Sequence, residues 1–347
     1  MTHDGQLFLW GDNAKQQLGS AVDVGSDQSA MCALVRVALS SANGTKVDSR
    51  RCTLVACGWS HTVAVVGTNQ ADATARVLTW GVNEHHQLGR PDSTSTPTCE
   101  PHDAEIPRSL RCAPVLSVSC GWKHSLLSLS DGSVFAWGSG RHGELGLGPS
   151  KLSAREPTIL DSLPTSGPFR VLCGWQHSVL YDCSTGAVIT CGNNRHGQLG
   201  VSPTAEKARF LALPVMMSSD SDDPLTARQV DTGWHFVLCV QRDGTLVAWG
   251  KGSHGQLGLG GVDGAHTPTK LPFTETVKSI ACGSEHALVL TDRNQVYSCG
   301  WGEHGNLGHG DQENRLELTR VEYFATHGLR VESVAAGGAV SIAVVSP

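Results

Sequence analysis

One short glycine-rich pattern, met six times, constrains this chain more than any other feature of it. Its clearest copy is AWGSGRHGELGLG at residues 136–148. The others are LWGDNAKQQLG from Leu9, TWGVNEHHQLG from Thr79, TCGNNRHGQLG from Thr190, AWGKGSHGQLG from Ala248 and SCGWGEHGNLG from Ser298. A short alternating run precedes each copy, Leu7 to Trp10 in the first and Val296 to Cys299 in the last, and reads as a half-buried strand of period 2. Glycine recurs at one register after every such strand, which predicts a positive φ there or an approach too close for a Cβ.

A second pattern interleaves with the first: CGWSHTVAV from Cys57, CGWKHSLLS from Cys120, CGWQHSVLY from Cys173, TGWHFVLCV from Thr232, CGSEHALVL from Cys282 and AGGAVSIAV from Ala336. A turn follows, best seen in Asp131-Gly132, Thr185-Gly186 and Asp243-Gly244. Strand, two-residue turn, strand predicts a β-hairpin, and Asp-Gly suits a primed turn. The leading glycines Gly11, Gly81, Gly138, Gly192, Gly250 and Gly300 are 70, 57, 54, 58 and 50 residues apart. Such a period, with several strands per unit, marks a β-propeller. The chain opens with the second half of a unit, Asp4 to Gly11, and closes with the first half of one. The expectation is therefore an all-β fold, one closed β-propeller domain over 1–347 with six blades, its N- and C-terminal strands sharing one blade. A closed ring would leave no open sheet edge.

The pairing of xCGxxHS/T with WGxNxxGQLGxG resembles the repeat of the regulator of chromosome condensation superfamily, and the resemblance covers nearly the whole chain. Members of that family usually have seven blades, which stays as the alternative to the six counted here.

A net charge of −6 argues against a broad electrostatic grip on nucleic acid. No apolar run approaches the roughly 18 residues of a membrane span, and Met1 is followed within a few residues by a strand where a signal peptide would have its apolar region. The expected setting is soluble and cytoplasmic, with the nucleus also open to it. Twelve cysteines include no CxxC pair. Six fall at repeat positions (Cys57, Cys120, Cys173, Cys282, Cys191 and Cys299) and read as small buried thiols in a reducing compartment. Residues 20–50, 90–113, 149–169 and 201–228 read as connections, the first with strand-like residues only around Cys32 to Leu39. The one strongly acidic run, Ser218 to Pro224, reads as a solvated loop that could also dock a basic partner.

Nine of the sixteen histidines sit at two repeat registers: His85, His142, His196, His254 and His304, and then His61, His124, His177 and His286. A metal ring is conceivable, but hydrogen bonding to backbone between neighbouring blades accounts for them more simply. No metal or cofactor is expected. GSGRHG, GKGSHG and GWGEHG match a dinucleotide fingerprint by letter, yet none opens a helix. No Walker loop, HExxH or nucleophile elbow occurs, so no catalytic residue is assigned.

Trp59, Trp122, Trp175 and Trp234 share one register and are candidate interface anchors, packing between blades being the other reading. Trp301 breaks the template, since no other copy has an aromatic directly after that glycine. Departures from a repeat are where function is sought, because folding does not demand them. The expected partner-binding residues are Trp301, Glu303, His304, Glu285, Trp234, Trp175, Trp122 and Trp59, with Trp301 as anchor and Glu303 and Glu285 as acceptors.

The GSEH…GWGEHGN pairing is similar to the last complete blade of two subgroups of the superfamily. One resemblance implies a non-catalytic adaptor holding a small zinc-ribbon metalloprotein in diphthamide synthesis and Elongator-dependent tRNA modification. The other implies a guanine-nucleotide exchange factor or regulator for a small GTPase, with the acidic run as a wedge. A third resemblance, to an ultraviolet photoreceptor with GWRHT repeats, meets Ser60, Lys123 and Gln176 at the arginine position.

Overall fold

The computed structural model describes residues 7–12, 15, 17–18, 30–36, 51–67, 75–90, 98–103, 113–161, 163–165, 167–203, 208–217 and 224–346. The chain forms two compact units, residues 1–173 with 210–212, and residues 174–209 with 213–347.

In the first unit, β1 (Phe8–Asp12) and β2 (Ala30–Arg36) make a two-stranded sheet. Two four-stranded meanders follow: β3 (Arg51–Cys57), β4 (His61–Gly67), β5 (Arg76–Gly81) and β6 (Thr98–Asp103), then β7 (Val115–Cys120), β8 (His124–Leu129), β9 (Val134–Ser139) and β10 (Ser153–Ile159). A third meander consists of β11 (Phe169–Cys173), β12 (His177–Asp182), β13 (Val188–Asn193) and β14 (Ala208–Pro214), of which β11 belongs to the first unit and β12 and β13 to the second. The second unit adds β15 (Ala227–Thr232), β16 (Phe236–Gln241), β17 (Leu246–Gly250) and β18 (Ala265–Lys270), and then β19 (Val277–Cys282), β20 (His286–Thr291), β21 (Val296–Gly300) and β22 (Arg315–Arg320). A four-residue helix, α1 (Tyr323–Thr326), precedes the two-stranded sheet of β23 (Arg330–Gly337) and β24 (Val340–Ser346). The all-β expectation holds. The blade expected from both chain ends is represented by two separate two-stranded sheets.

The second and third strands of each meander are the two repeat patterns, and burial explains why they are so legible. All described positions of β4, β8, β9 and β20 are buried. Strands covered on both faces become continuous apolar runs. The fourth strands differ: in β10 only Ala154 and Pro157 are buried, and β22 buries none of its residues fully. An edge strand with one neighbour tolerates proline and needs few apolar residues. For that reason β6, β10 and β14 sit inside stretches that sequence reading takes as connections, a correction to 90–113, 149–169 and 201–228.

The hairpin turns also correct the expectation. Leu129 donates its N–H to the Ser133 carbonyl while Gly132 N–H bonds Leu129 O, and Gln241, Gly244 and Thr245 repeat the arrangement. These are three-residue loops ending on a left-handed residue rather than two-residue primed turns. Gly132 and Gly244 have φ of 91° and 89°, and Asn294 takes the same place at 59°. The aspartate before the glycine caps the turn, Asp131 Oδ1 accepting from Ser133 N–H and Asp243 Oδ1 from Thr245 N–H.

Two repeated side chains tie successive sheets together. His61 Nε2 lies 2.8 Å from Ser125 Oγ, His177 Nε2 2.9 Å from Thr232 Oγ1 and His286 Nε2 2.9 Å from Ser341 Oγ. The histidine partners are thus hydroxyls of the next sheet, not its backbone. The glycine three residues earlier makes room for the ring, since a Cβ on Gly283 would overlap the His286 imidazole. In the other direction, the indole N–H groups of Trp80, Trp137 and Trp249 donate to the carbonyls of Gln17, Gln87 and Gln198. Where Cys299 replaces the tryptophan, its thiol still approaches the Gln256 carbonyl, at 3.7 Å. The nine cysteines whose side chains are described are free. Of the repeat cysteines Cys120, Cys191, Cys282 and Cys299 are buried, whereas Cys57 is exposed and Cys173 half-buried.

Burial holds two of these imidazoles neutral, lowering His61 to about 3 and His286 to about 4 from the ordinary 6.5. Below pH 6.5 the unfolded chain takes up the proton and the native chain does not, so this contribution to stability is lost as pH falls toward 4. Asp231, pushed up to about 6 by burial, acts with the opposite sign, because the native state takes its proton first. A His286→Gln variant isolates one contribution. Wild type is expected to lose about 2 kcal/mol relative to that variant between pH 7 and pH 5, read as urea midpoints at the two pH values. A pH-independent difference would refute a buried neutral imidazole at this position.

Candidate functional site

The shared tryptophan register is positioned by the backbone. Three of these loops donate an N–H to the corresponding loop of the following repeat: Trp59 to Gly121 O in the first unit, Trp175 to Trp234 O and Trp234 to Ser284 O in the second. In the first unit Trp59 is 56% exposed, and half-buried Trp122 carries the Lys123 ammonium 3.9 Å from its ring.

The other six expected residues lie in the second unit and form one connected group. Trp175 and Trp234 pack with ring centroids 4.6 Å apart, and His235 lies 6.4 Å from Trp175 and 5.2 Å from His196. His235 Nδ1 is 3.9 Å from Glu285 Oε1, too far for a hydrogen bond. The Glu285 carbonyl accepts from Trp301 N–H at 2.9 Å. Trp301 has His254 at 5.9 Å and His304 edge-on at 4.7 Å, and its indole N–H donates to Glu303 Oε2 at 3.1 Å.

Glu285, expected to offer an acceptor to a partner, does not. It is 6% exposed, and its oxygens already accept from Lys251 Nζ at 2.8 Å and from Gln256 Nε2. Burial pushes the carboxyl up, but the neighbouring His235 and Lys251 outweigh it and hold the pKa below the usual value. Gln256 in turn accepts the His254 N–H at 2.8 Å. Glu285 is therefore an internal brace: through Gln256 it fixes the loop carrying His254, and through its carbonyl it fixes Trp301. Half-buried His196 is lowered by burial, then by its neighbours His235, Lys251 and Arg195.

Sequence reading missed Lys251, His235 and Gln256. A signal existed, because Lys251 stands where other copies have Asp12, Val82, Ser139, Asn193 and Trp301, while Glu285 stands where they have Ser60, Lys123, Gln176 and His235. Opposite charges departing from the template in adjacent repeats meet in space. No group of three or more His, Cys, Asp or Glu suited to a metal ion occurs among the described residues. No helix there is long and apolar enough to cross a membrane.

The model of the RCC1-like domain matches residues 1–343. The chain belongs to the RCC1-like domain family. Among RCC1-like relatives, the secretion-regulating guanine nucleotide exchange factor of Mus musculus is 30% identical over 373 residues, covering 99% of this chain and 73% of that protein. The ultraviolet-B receptor UVR8 of Arabidopsis thaliana is 29% identical over 279 residues, covering 79% of this chain and 58% of that protein. This chain thus matches little more than half of UVR8, and 6% of the human E3 ubiquitin-protein ligase HERC2. Among solved structures, Saccharomyces cerevisiae Prp20p, described with its binding properties to Gsp1p and histones, superposes with a TM-score of 0.79 at 20% identity, over 99% of this chain and 79% of that one. Human WBSCR16 gives 0.58 at 21%, over 99% and 100%. At that identity the two structures speak to the RCC1-like fold alone.

Proposed function

We propose that this RCC1-like chain binds a small GTPase and promotes or regulates its nucleotide exchange, without covalent chemistry of its own. The observation that carries the reading is the match, at 30% identity over 99% of the chain, to a protein described as a guanine nucleotide exchange factor. An exchange factor acts by binding the nucleotide-free form of its partner more tightly than the loaded form, which needs a recognition surface rather than a catalytic group. The surface in this reading is carried in the second unit by half-buried Trp175, Trp234 and Trp301 with exposed Glu303 and His304; exposed Trp59 and half-buried Trp122 are the candidates in the first unit. The wedge expected at Ser218 to Pro224 lies outside the described residues apart from Pro224. The zinc-ribbon adaptor has no counterpart among the relatives described above and falls behind the exchange reading; the photoreceptor alternative stays third. Work in the cytoplasm, and in the nucleus, belongs to the same proposal.

The test is release of a fluorescent GDP analogue from a panel of small GTPases. One of them should discharge faster with this chain, and Trp301→Ala should reduce the acceleration without altering the melting temperature. Acceleration of none would overturn the exchange reading.

The same proposal includes a single ring of six blades. In the five complete sheets the second and third strands share one register: His61 with Gly81, His124 with Gly138, His177 with Gly192, Phe236 with Gly250 and His286 with Gly300. Transferred to the two-stranded sheets, it pairs Val340 of β24 with Gly11 of β1, and Ile342 with Leu9. Val340 and Ile342 are 57% and 44% exposed, unlike their buried equivalents, and a cavity of about 480 Å³ lined by Val296, Leu307, Phe324 and Ile342 adjoins them. A Leu9→Cys, Ile342→Cys double variant should form a disulfide under mild oxidation, seen by peptide mapping. Its absence would argue for ends that do not meet.

A further inference from the structure

Trp301 and Glu303 are arranged for one kind of side chain. Trp301 occupies a register where the repeat has small, polar or charged residues, so the fold does not require an indole there. The ring is half-buried, with His254 and His304 against it and with Glu303 exposed beside it. The indole N–H holds one Glu303 oxygen at 3.1 Å, placing a carboxylate at the edge of an aromatic face. No lysine or arginine among the described residues forms a salt bridge with Glu303. The nearby cation, Lys251, is already bound to Glu285 at 2.8 Å. An aromatic face attracts a cation, and a carboxylate at its rim asks for a donor that is flat enough to lie on the ring while hydrogen-bonding sideways.

We infer that the Trp301–Glu303 pair is a recognition pocket for an arginine side chain of the protein partner. A guanidinium can stack on the indole and donate to Glu303 at once, which the compact, strongly hydrated lysine ammonium does less well. Glu285, through Gln256 and its own carbonyl, braces the pocket from behind. The inference rests on the proposed docking face but does not depend on nucleotide exchange.

The test needs no GTPase. The nine tryptophans give nine indole N–H resonances in the full chain, and a Trp301→Phe variant assigns the one from Trp301. Titration with millimolar N-acetyl-arginine methylamide should move that resonance selectively. The lysine counterpart should be several-fold weaker, and Glu303→Gln should abolish the response while the other eight resonances report an intact fold. A silent Trp301 resonance, an equal response to lysine, or an undiminished response in Glu303→Gln would each overturn the pocket. Loss of exchange activity alone would leave it standing.

Discussion

Replacing Gly250 by alanine is expected to remove about 4 kcal/mol or more of stability, enough to prevent recovery of folded protein. Gly250 has φ of +108°, where an L-residue is strained, and its position is also crowded. An added Cβ would overlap the His235 carbonyl oxygen and come within 2.7 Å of Phe236 Cα, both backbone groups that cannot swing aside. The pairing of β17 with β18 shifts register at this residue, between Ala248 and Gly250, so the glycine marks the bulge that turns the third strand away from the fourth. Gly244→Ala is the control. Its φ is +89°, but nothing lies within 4 Å of the added carbon, so only the left-handed strain of roughly 1–2 kcal/mol remains. Denaturant midpoints of the two variants decide the matter; equal, mild effects would mean that close approach is not the reason for the glycine.

Trp249→Ala is expected to cost about 3–5 kcal/mol. The side chain is fully buried and its indole N–H donates to the Gln198 carbonyl at 3.1 Å. Alanine would leave both a cavity and an acceptor without its donor. Phenylalanine refills most of the volume but not the hydrogen bond, so Trp249→Phe should fall between alanine and wild type, at about 1–3 kcal/mol. The occurrence of Cys191 and Cys299 at the same register shows that the site can be built around a smaller side chain when its surroundings are adjusted, which a single substitution does not provide. If the phenylalanine variant matches alanine, volume does not contribute as argued; if it matches wild type, the reach to Gln198 contributes nothing.

How much was legible follows from where each residue packs. His177–Asp182 and Val188–Asn193 form the two middle strands of a sheet, buried at every position but Tyr181 and Asn193, so their apolar runs had to be written into the chain. The outer strand Ala208–Pro214 buries only Arg209 and Ala212, leaves Leu211 and Leu213 exposed and ends on a proline, a composition shared with ordinary loops. The site divides in the same way. Trp301 stood out as a departure from the repeat, and the common register of Trp59, Trp122, Trp175 and Trp234 was visible. The burial of Glu285 was not visible, because a glutamate beside a histidine in CGSEH looks alike whether it faces solvent or a lysine supplied by the preceding repeat.

Periodicity alone settled the all-β class, the hairpins and the recurrent glycines, because a repeated unit must bury the same strands and make the same bulge each time. Side-chain partnership was settled by packing between repeats. His61 meeting Ser125, Trp249 meeting Gln198 and Lys251 meeting Glu285 join residues 34 to 64 positions apart. Such contacts depend on how one sheet stacks against the next, and no local pattern of residues encodes that distance.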